Sequence, residues 1–317
     1  MGSNAVFVPL VKMMRRPSLP ILLSLTLLAA STPLFAQVDL SGTWSARHYG
    51  DSLANRPGPG PAPLEFMGIP LNEAARVRGL SYSPSQVSEP DRVCTLYAPS
   101  YVMLGPFGLK IWNETEPGNG TTVAWKIGAW EDREAMTVWM DGRPHPSKSA
   151  PHETSGFSTG VWQDDVLTIY TTHMKAAFVR RNGAPLSDQA TMTTRLFRHG
   201  DLLTVTARID DPLYLTEPFY LTRIFQLSAV PPMRSTGQPC IQGDEGVPEG
   251  SVPHYLPNKN PFLGELTKLY NIPQETALGG AETMYPDYRK KLKDKYVIPE
   301  KCTRYCGGPG QYPLRVD

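Results

Sequence analysis

The sequence predicts a mainly β protein: an antiparallel up-and-down barrel of about eight to ten strands, followed by an irregular, partly helical C-terminal extension. Two observations predict this class. Short runs in which apolar and polar residues alternate follow one another from Trp139 to Phe225, and tight polar turns join them. No helical pattern separates these runs, which argues against a parallel sheet because its strands need helical crossovers.

The elements are predicted in chain order from this alternation. A Gly-x-Trp sequence at residues 42–44 marks the first strand, and in such barrels this Trp commonly closes one end. Asn72 should cap a short helix that ends at Gly79. Turns are expected at residues 116–120 and 199–201, where glycine allows a positive φ. Further strands are expected at residues 101–104, 109–115, 121–130, 133–141, 160–162, 166–174, 191–198, 202–209 and 219–227.

The chain is predicted to divide into a signal peptide, a barrel domain and a proline-rich extension packed on the barrel, at residues 1–36, 37–228 and 229–317. Arg15 and Arg16 precede a short apolar run, and Ala36 suits signal-peptidase cleavage. The run is too short to span a bilayer comfortably, so a cleaved leader is favoured over a retained anchor. We therefore expect a periplasmic or secreted protein with no membrane span after cleavage.

Charge and cysteine content limit the partners. The formal net charge is +1, and the small basic cluster at residues 289–293 is no footprint for nucleic acid. An even number of cysteines in an oxidising compartment favours disulfides, with three possible connectivities. The four cysteines are Cys94, Cys240, Cys302 and Cys306.

His145 is the first candidate catalytic residue. It stands between two prolines, which restrict the backbone and could hold the imidazole over the barrel mouth. Asp141 could orient a ring nitrogen of His145. Alternatively, Asp141 and Arg143 pair with each other in a rigid surface loop.

His173 is the second candidate, because alternation places it on the same face as Leu167 and Ile169. Inside the barrel it would act as a general acid or base, with its charge tuned by Asp141 or Glu217. The alternative is a core histidine that donates to a backbone carbonyl.

No cofactor is predicted, and two metal sites remain as weaker alternatives. A divalent metal with an open coordination position could be held by His145, His152 and His173. A second set would be Cys302, Cys306 and His254, although the cysteine spacing is unusual for zinc.

Arg223 is the main candidate for ligand binding. Alternation places it on the inner face between Leu221 and Phe225, where its guanidinium could bind a carboxylate while the apolar wall takes the rest of the ligand. The alternative is a structural ion pair with Glu217 or Asp211. Aromatic side chains could stack on a planar ligand or simply fill the barrel, namely Tyr214, Tyr220, Trp125, Trp139 and Trp162.

Several motifs resemble those of a large family of exported bacterial proteins. Residues 140–146 read M-D-G-R-P-H-P and residues 156–162 read G-F-S-T-G-V-W, followed by T-T-H at 171–173 and R-H-G-D at 198–201. The chain is similar to lipocalin-like or calycin-like members of that family, over most of its length beyond the leader. The resemblance implies a barrel and export, and it implies no particular reaction.

Residues 156–160 also fit G-x-S-x-G, the pattern of a hydrolase nucleophile elbow. That motif needs a strand before the serine and a helix after it, and here another strand follows. Ser158 is therefore not expected to be a nucleophile.

Two classes of function remain open. In the first, the barrel binds a small, largely apolar or amphipathic molecule and performs acid/base chemistry on it through its histidines, as a lyase, isomerase or hydrolase. In the second, the protein is a carrier without turnover. Ionisable side chains facing an apolar wall favour the first class slightly.

Overall fold

A computed structural model describes Gly2 and residues 38–47, 63–66, 68–83, 98–104, 108–128, 134–180, 182–229, 252, 254–270 and 272–292. The predicted signal-peptide features and all four cysteines lie outside the described residues. The described residues from Val38 onward belong to one compact unit.

Within the described residues there are eleven strands, and nine of them close a barrel in the order β1, β11, β10, β9, β6, β5, β4, β3, β2. Strands β7 and β8 form a separate two-stranded sheet. In chain order, β1 to β11 span Gly42–Ala46, Leu109–Thr115, Thr122–Gly128, Glu134–Trp139, Phe157–Gln163, Val166–Thr172, Ala177–Phe178, Pro185–Leu186, Thr191–His199, Leu202–Asp210 and Phe219–Ser228. The predicted mainly β barrel is confirmed.

Strand β1 closes the barrel because it pairs with β2 on one side and β11 on the other. Trp44 on this strand is fully buried, and its indole N–H donates to the carbonyl of Leu40 over 3.0 Å. Gly42 has a φ of +144°, and a Cβ there would lie 2.6 Å from the Leu227 side chain. The Gly-x-Trp sequence therefore marks the first strand, as predicted.

One strand pair departs from the antiparallel order that the sequence predicts. Strands β4 and β5 run parallel, with Val138 opposite Ser158 and Trp139 opposite Thr159. A parallel pair cannot be joined by a tight hairpin, and residues 140–156 form the longer connection. The prediction is wrong at this pair because alternation reports the face of a side chain and not the direction of the neighbouring strand.

The predicted tight turns are confirmed. Gly200 adopts a φ of +57° in the two-residue link between β9 and β10. At residues 116–120, the backbone N–H of Glu116 donates to the carbonyl of Thr121 over 2.8 Å. Strands β5 and β6 are joined through Asp164, which takes a φ of +52°, as aspartate tolerates better than most residues.

The described helices are short. The α-helices span Glu73–Gly79, Pro99–Leu104, Glu265–Tyr270, Gln274–Ala277 and Pro286–Leu292, and the 3₁₀ helices span Pro257–Lys259 and Ala281–Met284. Asn72 caps the first helix as predicted, since its side-chain oxygen accepts from the N–H of Ala75 over 2.9 Å. None of the described helices combines the length and the apolar character needed to cross a bilayer.

Residues 101–104 form part of the helix Pro99–Leu104, so the strand predicted there is wrong. Four residues carry too little alternation to separate a strand from a buried helix turn. Pro99 stands in the first turn, where its fixed φ favours a helix.

The barrel interior is packed with apolar side chains. One buried cluster draws on strands all round the barrel, for example through Leu109, Val138, Ile169 and Phe225. The helix Pro99–Leu104 contacts β4 as well as β10 and β11, and its Val102 and Met103 belong to the same cluster. A barrel of about eight strands is just wide enough for side chains to fill, and a hydrophobic core accordingly occupies space where the sequence suggests a hollow.

The described part of the C-terminal extension contacts residues 63–83. Asn260 donates its side-chain N–H groups to the carbonyls of Leu80 and Tyr82, over 2.8 and 3.0 Å. The backbone N–H of Phe66 donates to the carbonyl of Ala277 over 3.0 Å, and Leu278 packs against the barrel core. Asn260 therefore attaches the extension to residues 80–82, and the next α-helix along the chain begins at residue 265.

Candidate functional site

A cavity of about 360 Å³ lies beside the first residues of β11. Phe219 and Leu221 on β11, Ile69 in the segment before the first helix, and Met284 in the extension supply its apolar wall. Ligand sites in proteins usually combine such an apolar wall with a few polar groups. The cavity is therefore the candidate binding site.

Two charged side chains also line this cavity. Arg180 is 5% exposed, and its guanidinium carbon lies 6.0 Å from the ring centroid of Phe219. Glu217 lies on the exposed side of the cavity, just before β11. The cavity thus carries a buried cation and an exposed anion.

Arg223 lies on the inner face of β11, as predicted. It is 5% exposed, stands opposite the fully buried Val205, and follows Leu221 by two positions on the same face. Burial first, and then repulsion from the Arg180 charge, lower the pKa of Arg223 to about 9. Arg223 therefore stays charged at neutral pH.

Burial also lowers the pKa of Arg180, to about 10, while Glu65 and Tyr101 act in the opposite direction. Asp211, one predicted ion-pair partner of Arg223, accepts hydrogen bonds from the backbone N–H and the hydroxyl of Ser187, each over 2.7 Å. Its carboxylate thus anchors a turn.

The other predicted ligand-binding residues are spread over the barrel. Trp125 is buried in the core, and Tyr214 packs at its edge with Arg78 over its ring at 6.0 Å. Trp139 contacts Arg143 on the surface loop. The cavity lining described above includes Glu217 and Tyr220 from the sequence-based candidates but none of Tyr214, Trp125 and Trp139.

Asp141 pairs with Arg143, not with His145. The Arg143 guanidinium contacts the Asp141 carboxylate at 2.5 Å and lies 3.6 Å from the ring centroid of Trp139. Hydrogen bonding to Arg143 lowers the pKa of Asp141 to about 2. This is the surface-loop alternative, and it leaves Asp141 without the predicted role of orienting an imidazole.

His145 and His173 share a threonine hydroxyl. The Thr172 Oγ1 atom lies 2.7 Å from Nδ1 of His145 and 2.7 Å from Nδ1 of His173. Nε2 of His145 lies 2.9 Å from the hydroxyl of Thr159, and Nε2 of His173 lies 2.8 Å from the carbonyl oxygen of Ser147. We call these five residues the histidine network.

The direction of the hydrogen bonds follows from the one group that can only accept. The Ser147 carbonyl requires a proton on Nε2 of His173, so Nδ1 of a neutral His173 accepts from the Thr172 hydroxyl. Thr172 then accepts from Nδ1–H of His145, and Nε2 of His145 accepts from the Thr159 hydroxyl. Every ring nitrogen of the network has a partner when both imidazoles are neutral.

The histidine network lies on the outer face of the barrel. Thr159 and Thr172 alternate with the buried Ser158 and Thr171 on β5 and β6. His173 has a φ of +57°, which breaks the alternation just after β6. The inward position predicted for His173 is therefore wrong.

His145 is held edge-on between aromatic rings. The ring centroids of Phe157 and Tyr170 each lie 5.0 Å from that of His145. Burial, followed by repulsion from His173, lowers the pKa of His145. The neutral form that the hydrogen bonds require is therefore favoured.

His145, His152 and His173 were predicted as alternative metal ligands. They lie near one another, but their ring nitrogens meet hydroxyl and carbonyl oxygens of the protein. His152 lies 5.1 Å from His173 between ring centroids, and its Nδ1 lies 3.0 Å from the carbonyl oxygen of Met174. Across the described residues, no group of three or more His, Cys, Asp or Glu side chains is placed to hold a metal ion.

Ser158 lies within the extended strand β5, so the strained elbow of a hydrolase is missing there. The side chain is 1% exposed, and its hydroxyl lies 2.8 Å from that of Thr171. Both hydroxyls face the barrel interior, consistent with the sequence-based interpretation.

Sequence reasoning missed Arg180, Thr159 and Thr172 as site residues. The two threonines could have been placed on the outer face by alternation, but their contact with His145 depends on the path of residues 140–156. Arg180 follows the two-residue strand β7. That stretch is too short for a periodic pattern, so no sequence signal marks Arg180.

Comparison of the chain with protein-family models, with curated proteins and with solved structures finds no match. The cavity and the histidine network are therefore interpreted from their own chemistry.

Proposed function

We propose that this protein is a non-catalytic carrier that binds one small, largely apolar molecule in the cavity beside β11, in the periplasm or outside the cell. The observation that supports it is a cavity of about 360 Å³ with a mostly apolar wall. At about 30 Å³ for each water-sized group, that volume holds about a dozen non-hydrogen atoms. A ligand of this size gains affinity mainly from burial of its apolar surface.

Binding without turnover is favoured because the candidate acid and base lie elsewhere. His145 and His173 are on the outer face of β5 and β6, and among the described residues that line the cavity there is no histidine. An arginine is a poor proton donor or acceptor at neutral pH, since its guanidinium stays charged. The cavity therefore suits retention of a molecule better than its conversion.

The test is to fill the cavity from the side of the extension, where the barrel strands are not disturbed. Ala281 lines the cavity, so Ala281→Trp should abolish binding of 1-octanol measured by isothermal titration calorimetry. Val77→Trp is the matched control, because Val77 is 49% exposed on the first helix and outside the lining. Equal binding by both variants, or no binding by the native protein, would contradict the carrier function.

A second candidate function is hydroxyl activation on the outer face. The Thr159 hydroxyl lies 2.9 Å from Nε2 of His145, and the lowered pKa of His145 keeps this nitrogen available as a base. Thr172 orients the other ring nitrogen over 2.7 Å. A hydroxyl, a base and an orienting group in this order are the parts that acyl transfer requires.

The second candidate is tested with p-nitrophenyl acetate. Release of p-nitrophenol by the native protein should fall to the uncatalysed rate in Thr159→Val. The control His199→Gln changes an exposed histidine at the end of β9 and should leave the rate unchanged. Equal rates for the native protein and Thr159→Val would exclude activation of this hydroxyl.

A further inference from the structure

We propose that the molecule held in the cavity is a small, neutral aromatic compound that lies against the rings of Phe219, Tyr220 and Tyr285. This inference rests on the carrier function proposed above and specifies its ligand class. The juxtaposition that supports it is three aromatic side chains and the thioether of Met284 around one cavity, brought together from β11 and from the extension.

Three large apolar side chains of the cavity lining are exposed to solvent. Tyr220 and Tyr285 are each 58% exposed, and Met284 is 63% exposed. Tyr220 lies on β11, whereas Met284 and Tyr285 belong to the extension. Exposed apolar side chains that gather at one place, unlike scattered ones, mark a site where another molecule binds. A ligand in the cavity would cover apolar surface that the folded chain leaves in water.

The chemistry of the lining favours an aromatic ligand over a saturated one. Aromatic rings attract one another in edge-to-face and offset arrangements, and this attraction adds to the gain from burial. Phe219, Tyr220 and Tyr285 offer such rings, and the sulfur of Met284 also interacts favourably with an aromatic ring. A saturated ring of the same size gains only from burial.

Gly68 holds the thioether of Met284 against the cavity. Gly68 has a φ of +70°, and a Cβ there would lie 2.6 Å from the Met284 sulfur. The sulfur therefore packs directly against the backbone of residue 68, and both residues line the cavity. This contact gives the exposed Met284 side chain a defined place in the wall.

The charges around the cavity favour a neutral ligand. Burial lowers the pKa of Arg180 to about 10, and the charge of Glu65 acts against this shift. The protein itself thus provides an opposite charge for the buried guanidinium, so the ligand does not need to bring one. The exposed carboxylate of Glu217 also lines the cavity and would repel an anion.

The experiment compares 2-naphthol with its saturated analogue, trans-decahydro-2-naphthol, on the native protein. Both molecules have about the dozen non-hydrogen atoms that the cavity holds. The native protein should bind 2-naphthol about 10-fold more tightly in isothermal titration calorimetry, because only the aromatic molecule gains from ring contacts. Burial alone would give the opposite order, since the saturated molecule has the larger apolar surface. The anion 2-naphthoate should bind more weakly than 2-naphthol.

Variants of Tyr285 show whether the preference comes from the lining. Tyr285→Leu should reduce the preference for 2-naphthol about threefold to tenfold and leave the affinity for the saturated analogue nearly unchanged, whereas Tyr285→Phe should retain the preference. Phe197→Leu is the matched control, because it removes a ring that is 41% exposed on β9 and outside the lining. It should leave both affinities unchanged.

The outcomes separate this inference from the carrier function. Equal or tighter binding of the saturated analogue by the native protein, or an equal preference in Tyr285→Leu, would overturn the aromatic assignment and leave the carrier function standing. Tighter binding of 2-naphthoate than of 2-naphthol would overturn the neutral ligand. Failure of the native protein to bind 2-naphthol, its analogue and 1-octanol would overturn both the inference and the carrier function. The native comparison requires no substitution, so it decides the question even if Tyr285→Leu does not fold.

Discussion

Two groups of ionisable side chains in this barrel are held in opposite ways. Arg180 and Arg223 are buried beside apolar side chains and remain charged. His145 and His173 lie on the outer face, and the Thr172 hydroxyl between them completes their hydrogen bonds when both are neutral. The inner group therefore consists of buried charges, while the outer group consists of imidazoles that the protein's own hydrogen bonds hold neutral.

The two groups also differ in what they contact: the outer group attaches a connecting segment to the barrel, and the inner group lies beside the cavity. Hydrogen bonds of the outer group join residues 140–156 to strands β5 and β6, where the parallel pair needs a long connection. Arg180 of the inner group lines the cavity beside β11. Perturbing the outer group should therefore mainly loosen the connection, and perturbing the inner group should change the cavity.

The largest effect on stability is expected from the apolar wall that surrounds the inner group. Phe225 on the inner face of β11 is fully buried, so Phe225→Ala should lower the free energy of unfolding by about 3 to 5 kcal/mol in urea denaturation. Tyr220 on the outer face of the same strand is 58% exposed, so Tyr220→Ala should cost well under about 1 kcal/mol. Similar losses of unfolding free energy in both variants would mean that the two faces of β11 do not differ in burial.

A somewhat smaller loss of stability is expected at Gly156, the last residue of the connection between β4 and β5. Gly156 has a φ of +64°, and a Cβ there would lie 2.7 Å from the carbonyl oxygen of Thr172. Gly156→Ala combines left-handed strain of about 1 to 2 kcal/mol with a backbone clash, so a total of about 3 kcal/mol is expected in urea denaturation.

Gly142 provides the matched control for Gly156. It has a φ of +71° in the same connection, but nothing lies within 4 Å of its added Cβ. Gly142→Ala should therefore cost only the strain of about 1 to 2 kcal/mol. If the two variants were equally stable, the close approach between Gly156 and β6 would be refuted.

The shared hydroxyl of the histidine network is the next most sensitive position. Thr172→Val keeps the branched shape but leaves one nitrogen of each imidazole without its partner, so a loss of about 1 to 3 kcal/mol is expected. Thr193→Val is the control, because Thr193 also faces outward, on β9, and makes no side-chain hydrogen bond in the described part of the chain. Equal unfolding midpoints for the two variants would show that the network does not stabilise the fold.

Most of the barrel could be predicted from the sequence because each strand carries its own period-two pattern. The inner position of Arg223 and the turn at Gly200 both followed from local residue patterns. The parallel direction of β5 and the helix at residues 99–104 did not, since strand direction depends on a distant partner and a four-residue run has no clear period.

The candidate site was harder to predict than the fold. His145 was identified, but its partners Thr159 and Thr172 are 14 and 27 residues away and meet it only through the path of the connection. A single positive φ at His173 reversed the face that alternation assigns to it. Arg180 and Met284 come from irregular segments, and tertiary packing alone brings them to one cavity.

A moderate effect of pH should distinguish the outer group from the inner one. The pKa of His145 is lowered in the folded state, so the unfolded chain binds more protons as the pH falls below about 6.5. The contribution of His145 to stability is therefore present above that pH and is lost as the pH falls toward the lowered folded-state pKa. Arg180 and Arg223 stay protonated throughout this range and add nothing to the change.

The measurement is the free energy of unfolding at about pH 8 and about pH 5 for the native protein and for His145→Gln. The native protein should lose more stability than His145→Gln on acidification, because the variant has no group to titrate at this position. An identical loss in both proteins would show that His145 is not held in its neutral form.

The smallest effect is expected at Asp141, which the sequence suggested as part of the site and which pairs with Arg143 instead. Asp141 contacts Arg143 at 2.5 Å, but the two side chains are 41% and 38% exposed. Solvent screening makes such pairs weak, so Asp141→Asn should leave the unfolding midpoint unchanged within error. It should also leave the difference between pH 8 and pH 5 intact, because the pKa of Asp141 is lowered to about 2 and the carboxylate stays ionised across that range. A clear change of this difference in Asp141→Asn would show that the carboxylate interacts with the imidazoles, as the sequence suggested.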